Sequence, residues 1–385
     1  MITRTASITL HSLAKGFPIV AITGPRQSGK TTLARSTFPD KPYVSLEDLD
    51  TRAFANEDTR GFLARFAGGA IVDEAQRCPA LFSYLQTRVD GEQRMGEFVL
   101  TGSQQFGLLS GITQSLAGRV GLVQLLPFSV PELQAAEVAL PSLDVLLWRG
   151  QYPALYDRAL APTQWFANYV TTYVERDVRQ IIEVQNLSLF QRFFKMCAAR
   201  CGQLLNMTSM ANDCGVSYKT IGAWLSVLEA SYVVFLLQPH HQNFGKRLVK
   251  TPKLYFHDTG LAAYLLGITD ADHLSIHPAR GALFENLVIG EYQKQRFNLG
   301  LPSNLYFWRN NTGEEVDLLL EEGGKLQPVE IKSGQTFHTS FVEGLNKWIR
   351  YAGDTALPPQ LVYGGEDSMV RSGVAVRSWR CMQEG

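Results

Sequence analysis

One eight-residue segment of this chain has the spacing G-x-x-x-x-G-K-[ST] that is typical of phosphate-binding loops. The segment is Gly24-Pro25-Arg26-Gln27-Ser28-Gly29-Lys30-Thr31. In such loops the glycines let backbone N–H groups point at the β- and γ-phosphates of a nucleotide, and the start of the next helix adds its positive dipole end. The Lys30 ammonium would reach the same phosphates, and the Thr31 hydroxyl would hold Mg²⁺. We therefore predict that residues 24–32, Thr32 included, bind ATP with Mg²⁺. The alternative is a glycine-rich turn that contains Lys-Thr without this function.

Two acids follow an apolar run further along the chain. Asp73 and Glu74 end the run Gly69-Ala70-Ile71-Val72. Asp73 would hold the water shell of Mg²⁺, and Glu74 would orient and deprotonate the attacking water. A later run, Glu97-Phe98-Val99-Leu100, leads to Thr101 and Ser103, and we expect one of these hydroxyls to touch the γ-phosphate or the attacking water. The alternative is a plain turn at the strand end.

Arg119 lies in Ser115-Leu116-Ala117-Gly118-Arg119, just before another strand-like run. An arginine at this point can insert into a neighbouring subunit's site and stabilise the transition state, or it can act as a sensor within its own subunit. The third interpretation is an arginine that caps the preceding helix or pairs with a surface acid. The sequence leaves these roles open.

A parallel sheet is needed to bring these residues together. Strands and helices alternate up to about Leu133, which is the pattern of a parallel α/β sheet covered on both faces. With 385 residues the chain is too long for one ordinary core. We expect an ATPase domain at 1–135, a helical linker or lid at 136–204, a winged helix at 205–260 and a third domain at 261–385.

The composition narrows the function classes. The chain has 36 basic and 36 acidic residues, so a uniformly basic, sequence-independent nucleic-acid binder is disfavoured and any such contact must come from local patches. No apolar run has the length of a membrane span, and Met1-Ile2-Thr3-Arg4-Thr5 lacks the apolar core of a signal peptide. Five cysteines without a C-x-x-C pair indicate neither a disulfide framework nor a zinc ribbon. We expect a soluble cytoplasmic protein.

A helix-turn-helix pattern occupies the middle of the chain. A short helix at 207–213 is followed by the turn Cys214-Gly215-Val216 and a second helix that opens with Ser217 as its N-cap. Two strand-like runs follow, which makes a winged helix. The positions expected to reach DNA bases lie at the start of the second helix: Ser217, Tyr218, Lys219 and Thr220.

Basic residues accumulate between the two strand-like runs, with no acid from Pro239 to Phe256. Spaced lysines and arginines suit phosphates irrespective of base sequence. We therefore expect DNA contact from this stretch, although winged helices also serve as protein-binding modules. The residues are Lys246, Arg247, Lys250 and Lys253.

A third group of charged residues lies between Gly281 and Lys332. Glu330 and Lys332 lie two apart on a predicted strand and so share a face, and Asp317 lies on the neighbouring strand of a predicted hairpin. Two carboxylates and a lysine on one sheet face suit metal-dependent phosphodiester hydrolysis, with Glu285 on the preceding helix as a third acid. The alternative is a solvated strand with a salt bridge.

Taken together, these segments resemble prokaryotic AAA-type ATPases whose C-terminal half is a domain of uncharacterised function. The resemblance rests on the phosphate loop, Val72-Asp73-Glu74-Ala75-Gln76, Leu100-Thr101-Gly102-Ser103, Leu116-Ala117-Gly118-Arg119, the run from Lys250 to Leu261, and the set Asp317, Glu330 and Lys332. It implies an α/β fold: a P-loop NTPase parallel sheet, then a helical and winged-helix domain, then an α/β restriction-endonuclease-like domain. In that last domain Asp317, Glu330 and Lys332 match the PD-(D/E)xK pattern, with Val316 in place of the proline. Many relatives of this nuclease fold have lost cleavage and keep only DNA binding.

We interpret the chain as an ATP-hydrolysing, Mg²⁺-dependent protein that binds DNA and remodels it or translocates along it. A homo-oligomer is expected, because an arginine finger works across subunits, and a hexameric ring is one such assembly. The alternatives are an ATP-switched regulator whose winged helix binds a protein, and an ATP-gated, Mg²⁺-dependent nuclease.

Overall fold

The computed structural model describes residues 2–103, 108, 111–112, 114–138, 142–158, 160–174, 187–240 and 248–382. The chain divides into two compact units. The first contains residues 1–128, 230–232 and 294–302, and the second contains 129–229, 233–293 and 303–385. The first unit thus includes two short segments from later in the chain, and the four expected domain ranges stay predictions.

In its described residues the first unit is built on a five-stranded sheet in the order β2-β3-β4-β1-β5, with every recorded strand pair parallel. The strands are β1 Ile19–Thr23, β2 Tyr43–Ser45, β3 Ile71–Asp73, β4 Phe98–Gly102 and β5 Val120–Gln124. The connecting helices are α1 Ala6–Gly16, α2 Lys30–Thr37, α3 Leu49–Glu57, α4 Thr59–Ala64 and α5 Ala80–Glu92, with a 3₁₀ turn at Ala75–Arg77.

Strand β1 is buried along its whole length because the sheet is covered on both faces. Ile19 and Ala21 pack into one apolar cluster, and Val20 and Ile22 pack into another. Strand β1 pairs with β4 on one side and β5 on the other, so it is an interior strand, and the residues that follow Thr23 lie at the carboxyl end of the sheet. The predicted P-loop NTPase parallel sheet is confirmed.

The second unit is built on an eight-stranded mixed sheet in the described residues, in the order β12-β13-β11-β10-β9-β8-β6-β7. Its strands are β6 Val234–Pro239, β7 Lys253–Phe256, β8 Leu305–Arg309, β9 Glu315–Glu322, β10 Lys325–Lys332, β11 Gln360–Tyr363, β12 Met369–Arg371 and β13 Val374–Ser378. The strand pairs β8–β9 and β9–β10 are antiparallel, whereas β10–β11 and β11–β13 are parallel.

Eleven helices are described from residue 130 onward. They are α6 Val130–Ala135, α7 Leu143–Arg149, α8 Ala154–Asp157, α9 Pro162–Tyr169 with a π-helical continuation at Val170–Val174, α10 Leu187–Ala199, α11 Met207–Cys214, α12 Tyr218–Ala230, α13 Thr259–Leu265, α14 Ala271–Ile276, α15 Arg280–Asn298 and α16 Glu343–Ala352, with 3₁₀ turns at Thr339–Val342 and Gly353–Thr355.

The expected helix-turn-helix is present as α11 and α12, and Gly215 between them adopts the left-handed conformation with φ +69°. The two strands expected to form a wing pair with each other as β6 and β7. Strand β6 also pairs with β8, so the two strands continue the sheet of the C-terminal region. The winged helix and the restriction-endonuclease-like domain therefore stay predictions, within a unit whose strands form one sheet.

Candidate functional site

The phosphate-binding loop lies between β1 and α2, as its pattern predicted. Gly24 has φ +143°, and a Cβ atom there would lie 2.1 Å from the Leu125 carbonyl oxygen. Gly29, directly before α2, has φ +91°. Glycine is the residue that adopts both conformations without strain, so the two glycines of the pattern are used for the backbone path.

Lys30 lies within this loop and is buried. Its Nζ donates to the carbonyl oxygens of Gly24 at 3.0 Å and of Pro25 at 2.7 Å. The ammonium is therefore held against the backbone at the start of the loop. The remaining predicted residues divide by exposure: Ser28 is buried, Arg26 is half-buried, and Gln27 and Thr32 are exposed.

Asp73 is the last residue of β3, which is separated from β1 by β4. Its carboxylate accepts hydrogen bonds from three hydroxyl groups. Thr31 Oγ1 lies 3.0 Å from Asp73 Oδ1, and the Tyr43 hydroxyl lies 2.9 Å from Asp73 Oδ2. The Thr101 hydroxyl donates to Asp73 Oδ1. A hydroxyl and a carboxylate this close form the oxygen donor set that Mg²⁺ prefers, so Thr31 and Asp73 fit the ion that a bound nucleotide would bring.

Glu74 follows Asp73 in the left-handed conformation, with φ +54°. Because of this turn in the backbone, the carboxylates of Asp73 and Glu74 point in different directions. Glu74 Oε2 accepts a hydrogen bond from Ser103 Oγ at 3.1 Å and from Gln76 Nε2 at 2.6 Å. The two hydroxyls proposed from the sequence as alternatives thus contact different acids, Thr101 the first and Ser103 the second.

Three residues at this site were not singled out from the sequence. Tyr43 contacts Asp73, Gln76 contacts Glu74, and Arg4 contacts the backbone of the loop. Arg4 is buried, and it donates from Nη1 to the Ser28 carbonyl oxygen at 2.9 Å and from Nη2 to the Leu126 carbonyl oxygen at 2.6 Å. Gln76 could have been found from the sequence, because it lies two residues after Glu74. Tyr43 and Arg4 could not, because their partners at this site are distant in the sequence.

Arg119 lies at the opposite edge of the sheet from the loop. Strands β1 and β5 pair in parallel from Ile19↔Val120 to Thr23↔Gln124, so Arg119 precedes the amino end of β5 while the loop follows the carboxyl end of β1. Arg119 forms a two-point pair with Asp90, at 2.6 Å and 2.8 Å. A sensor role within its own subunit does not fit this position, because the length of the sheet intervenes. A role in a neighbouring subunit stays a prediction.

The start of α12 presents the residues that were expected to reach DNA. Ser217 Oγ accepts a hydrogen bond from the Thr220 N–H at 3.0 Å, so the predicted N-cap is confirmed. Tyr218 and Lys219 are exposed. An open groove of about 760 Å³ runs beside this helix, and Met207, Tyr218 and Lys250 are among the residues that line it.

The predicted basic stretch is only partly available to phosphates. Lys250 is exposed, and Lys246 and Arg247 lie outside the described residues. Lys253 corrects the prediction, because it is 3% exposed and its Nζ lies 3.0 Å from Glu285 and 2.5 Å from Glu315. Its position on β7 turns the side chain inward, and the two carboxylates neutralise it.

The residues of the nuclease-like pattern lie together in the second unit. Lys332 Nζ is 2.5 Å from Glu330 Oε1 and 3.6 Å from Asp317 Oδ2. The paired register of β9 and β10 ends at Val329↔Leu318, and the Asp317 carboxylate then accepts the Ile331 N–H at 2.8 Å. Glu285 reaches the same cluster through Lys253.

Burial changes the protonation of these carboxyl groups. Burial and the neighbouring Asp317 raise the pKa of Glu330 to about 8, against the opposing effect of Lys332. Burial also raises the pKa of Glu285, and Lys253 opposes that shift. Burial by itself would lower the pKa of Lys332, but Asp317 and Glu330 raise it to about 12. The lysine is therefore charged at neutral pH.

Comparison with known proteins places these sites in context. Residues 16–134 match the family described as AAA domain, residues 140–272 a domain of unknown function (DUF8612) and residues 280–382 a domain of unknown function (DUF4143). The uncharacterized protein Rv2008c of Mycobacterium tuberculosis is 34% identical over 338 residues, which is 86% of this chain and 74% of that protein. The uncharacterized protein Mb2031c of Mycobacterium bovis matches with the same identity and coverage.

The chain belongs to the family of these two mycobacterial proteins. The residues that match the AAA domain coincide with the unit that carries the phosphate-binding loop. This first unit is a P-loop ATPase of the AAA kind. A solved structure, the Walker-type ATPase PABY2304 of Pyrococcus abyssi, is similar at 15% identity over 69% of this chain and 96% of that chain, with a TM-score of 0.46. No helix in the described part of the chain is both long enough and apolar enough for a bilayer crossing.

Proposed function

We propose that this P-loop ATPase hydrolyses ATP with Mg²⁺ and uses the reaction to remodel DNA or to move along it. The proposal of ATP hydrolysis rests on one observation: the two acids Asp73 and Glu74 accept hydrogen bonds from different side chains. Thr31, Tyr43 and Thr101 surround Asp73, whereas Ser103 and Gln76 hold Glu74. In this proposal Asp73 serves the metal and Glu74 serves the attacking water.

The residues of the loop have distinct tasks in this reaction. The backbone N–H groups of residues 24–31 and the Lys30 ammonium bind the β- and γ-phosphates, and Mg²⁺, when bound, neutralises charge on those phosphates. Glu74 accepts a proton from the attacking water, while Ser103 fixes the direction of its carboxylate. Positioning and charge stabilisation account for most of such catalysis, so the supporting hydrogen bonds matter for the rate.

The DNA part of the proposal is supported by the start of α12. Tyr218 and Lys219 are exposed there beside a groove that Lys250 also lines. An exposed aromatic ring and ammonium groups suit stacked bases and phosphates. The second candidate is a nucleotide-switched regulator that binds a protein. The zero net charge of the chain and the burial of Lys253 favour it.

Steady-state ATP turnover separates these functions. We expect turnover of the purified chain to rise with single-stranded, duplex or branched DNA at low salt and to rise less at moderate salt. Lys30→Ala is the blank. Lys219→Ala should weaken the DNA stimulation while leaving basal turnover unchanged, and Lys195→Ala, which alters an exposed lysine of α10, should leave both unchanged.

Each outcome has a definite meaning. Turnover by Lys30→Ala equal to that of the natural chain would contradict the ATPase assignment itself. Turnover indifferent to every DNA, with no DNA binding at low salt, would contradict the DNA proposal and favour the protein-binding switch.

A further inference from the structure

The second unit contains a partly buried cluster of charged side chains that the ATPase site does not use. Its carboxylates come from α15, β9 and β10, and its cations come from β7, β8 and β10. We call it the carboxylate cluster. Its members are Glu285, Glu315, Asp317, Glu330, Lys253, Lys332 and Arg309.

Lys253 lies between two of the carboxylates. Its Nζ is 3.0 Å from Glu285 Oε1 and 2.5 Å from Glu315 Oε1, and the residue is 3% exposed. The Tyr255 hydroxyl donates to the same oxygen of Glu285. Burial alone would lower the pKa of Lys253, but Glu285, Glu315 and Asp317 raise it above the ordinary value. A buried ammonium held in this way is strongly destabilised if its carboxylates are removed.

Lys332 and Arg309 occupy the other sides of the cluster. Lys332 Nζ contacts Glu330 at 2.5 Å and approaches Asp317 at 3.6 Å, and Arg309 Nη1 contacts Glu315 at 3.0 Å. Four carboxyl groups thus face three basic side chains.

This arrangement does not fit the divalent metal that the nuclease resemblance implies. Mg²⁺ requires oxygen ligands at about 2.0–2.1 Å in octahedral geometry. In this cluster one oxygen each of Glu285, Glu315 and Glu330 is already bound by a lysine ammonium group. Among the described residues, no group of three or more His, Cys, Asp or Glu side chains is arranged to hold a metal ion.

We propose that Lys253 is the resident cation of the carboxylate cluster, so that this domain needs no divalent metal and does not cleave phosphodiester bonds. Lys253 comes from β7 and so precedes the helix and the two strands that carry the acids. Its ammonium holds Glu285 and Glu315 together across α15 and β9. Removing that charge, while keeping the volume of the side chain, should leave adjacent carboxylates that attract a divalent cation.

The test is Mn²⁺ binding to the full chain without nucleotide, measured by isothermal titration calorimetry. We expect Lys253→Met to gain one Mn²⁺ site per chain, at least tenfold tighter than any gain in the matched variant Lys250→Met, whose lysine is exposed. Adding Glu285→Gln to Lys253→Met should abolish the gain. A folded Lys253→Met chain that gains no site would overturn the proposal.

A second measurement uses the natural lysine and does not depend on the folding of Lys253→Met. The natural chain and Glu285→Gln should bind the same number of Mn²⁺ ions, and the natural chain should nick supercoiled plasmid no faster than Asp317→Ala with Mg²⁺ or Mn²⁺. Loss of one Mn²⁺ site in Glu285→Gln, or nicking that Asp317→Ala removes, would overturn the proposal. Neither readout requires ATP turnover or DNA stimulation, so the result is independent of the proposed function.

Discussion

Thr101 and Ser103 lie two residues apart at the end of β4, and each supports one acid of the ATPase site. Thr101 lies within β4 and Ser103 directly follows the last residue of that strand, and their hydroxyls donate to Asp73 and to Glu74. The polar end of this strand therefore fixes both the metal-binding carboxylate and the carboxylate that activates water.

The first prediction concerns Thr101. Thr101→Val keeps the shape of the side chain but removes the hydrogen bond to Asp73. Because a hydrogen bond to a charged group contributes about 1.5–3 kcal/mol, we expect kcat to fall roughly tenfold or more. Steady-state ATP turnover measures this. Thr101→Ser, which restores a hydroxyl, should recover most of the rate, and an unchanged rate in Thr101→Val would show that the contact has no catalytic part.

The second prediction concerns Glu330, whose pKa is raised to about 8 by burial and by Asp317. The native state therefore holds a proton that the unfolded chain releases near pH 4.5, so this group's stabilising effect is present at low pH and is lost as pH rises from about 4.5 to 8. Glu330→Gln is neutral at every pH. We expect its free energy of unfolding, relative to the natural chain, to increase between pH 5 and pH 9.

Urea denaturation at several pH values measures this difference. The control is Glu322→Gln, which changes an exposed acid at the end of β9 and should give a difference that does not vary with pH. A constant difference for Glu330→Gln as well would show that Glu330 is ionised normally in the folded protein.

At the scale of elements, the path from β1 into α2 is the part of the fold that tolerates least change. Gly24→Ala would place a Cβ atom 2.1 Å from the Leu125 carbonyl oxygen at φ +143°. Because the contact is with backbone, β5 or the loop must shift. We expect a loss of stability of at least about 2 kcal/mol, together with loss of nucleotide binding.

The matched control is Gly91→Ala in α5, where an added Cβ meets no atom within 4 Å. A glycine-to-alanine change inside a helix stabilises by roughly 0.5–1 kcal/mol, so the two variants should shift the free energy of unfolding in opposite directions. Chemical denaturation of both proteins checks this. Equal stability of Gly24→Ala and the natural chain would contradict the close approach of β1 and β5.

Strands β3 and β4 of the ATPase unit were predictable because each is a short apolar run with a chemical signal at its end. The predicted runs 69–72 and 97–100 correspond to these two strands within a few residues. The glycine pattern and the paired acids then located the loop and β3. Local periodicity and motif spacing carry this information, because they depend on neighbours in the sequence.

The unpredicted contacts depend on pairings distant in the sequence. Tyr43 binds Asp73 because β2 is the neighbour of β3, and nothing near Tyr43 indicates this. Lys253 was expected to contact phosphates because its sequence neighbours are basic. The sheet turns it inward beside Glu285 and Glu315, which lie on elements far along the chain. A charge pattern shows which ions are available but not which face of a strand they occupy.

At the scale of the whole molecule, the role of Arg119 bears on whether the protein assembles into oligomers. Its pair with Asp90 lies at the sheet edge opposite the loop, which leaves a neighbouring subunit as the site for a catalytic role. We expect Arg119→Ala to lower turnover at least tenfold at protein concentrations that permit assembly. Asp90→Ala, which frees the same arginine, should retain turnover.

Turnover against protein concentration, followed together with mass from light scattering, measures the effect. If Arg119→Ala and Asp90→Ala behave alike, the pair is a surface salt bridge and the trans-acting role is wrong. If Arg119→Ala assembles as the natural chain does but turns over slowly, the arginine contributes to catalysis and not to assembly.

The segments 230–232 and 294–302 have a consequence for biosynthesis. Tyr232 and Phe297 pack on Leu126, the Tyr232 hydroxyl contacts Thr23 at 2.9 Å, and Lys294 donates to the Phe128 carbonyl oxygen at 2.9 Å. At about 5–20 residues per second, residues 294–302 leave the ribosome roughly ten to thirty seconds after residue 128. During that interval the nascent ATPase unit carries an uncovered apolar patch beside its nucleotide loop. We expect this patch to be most open to aggregation or to chaperone binding during that interval.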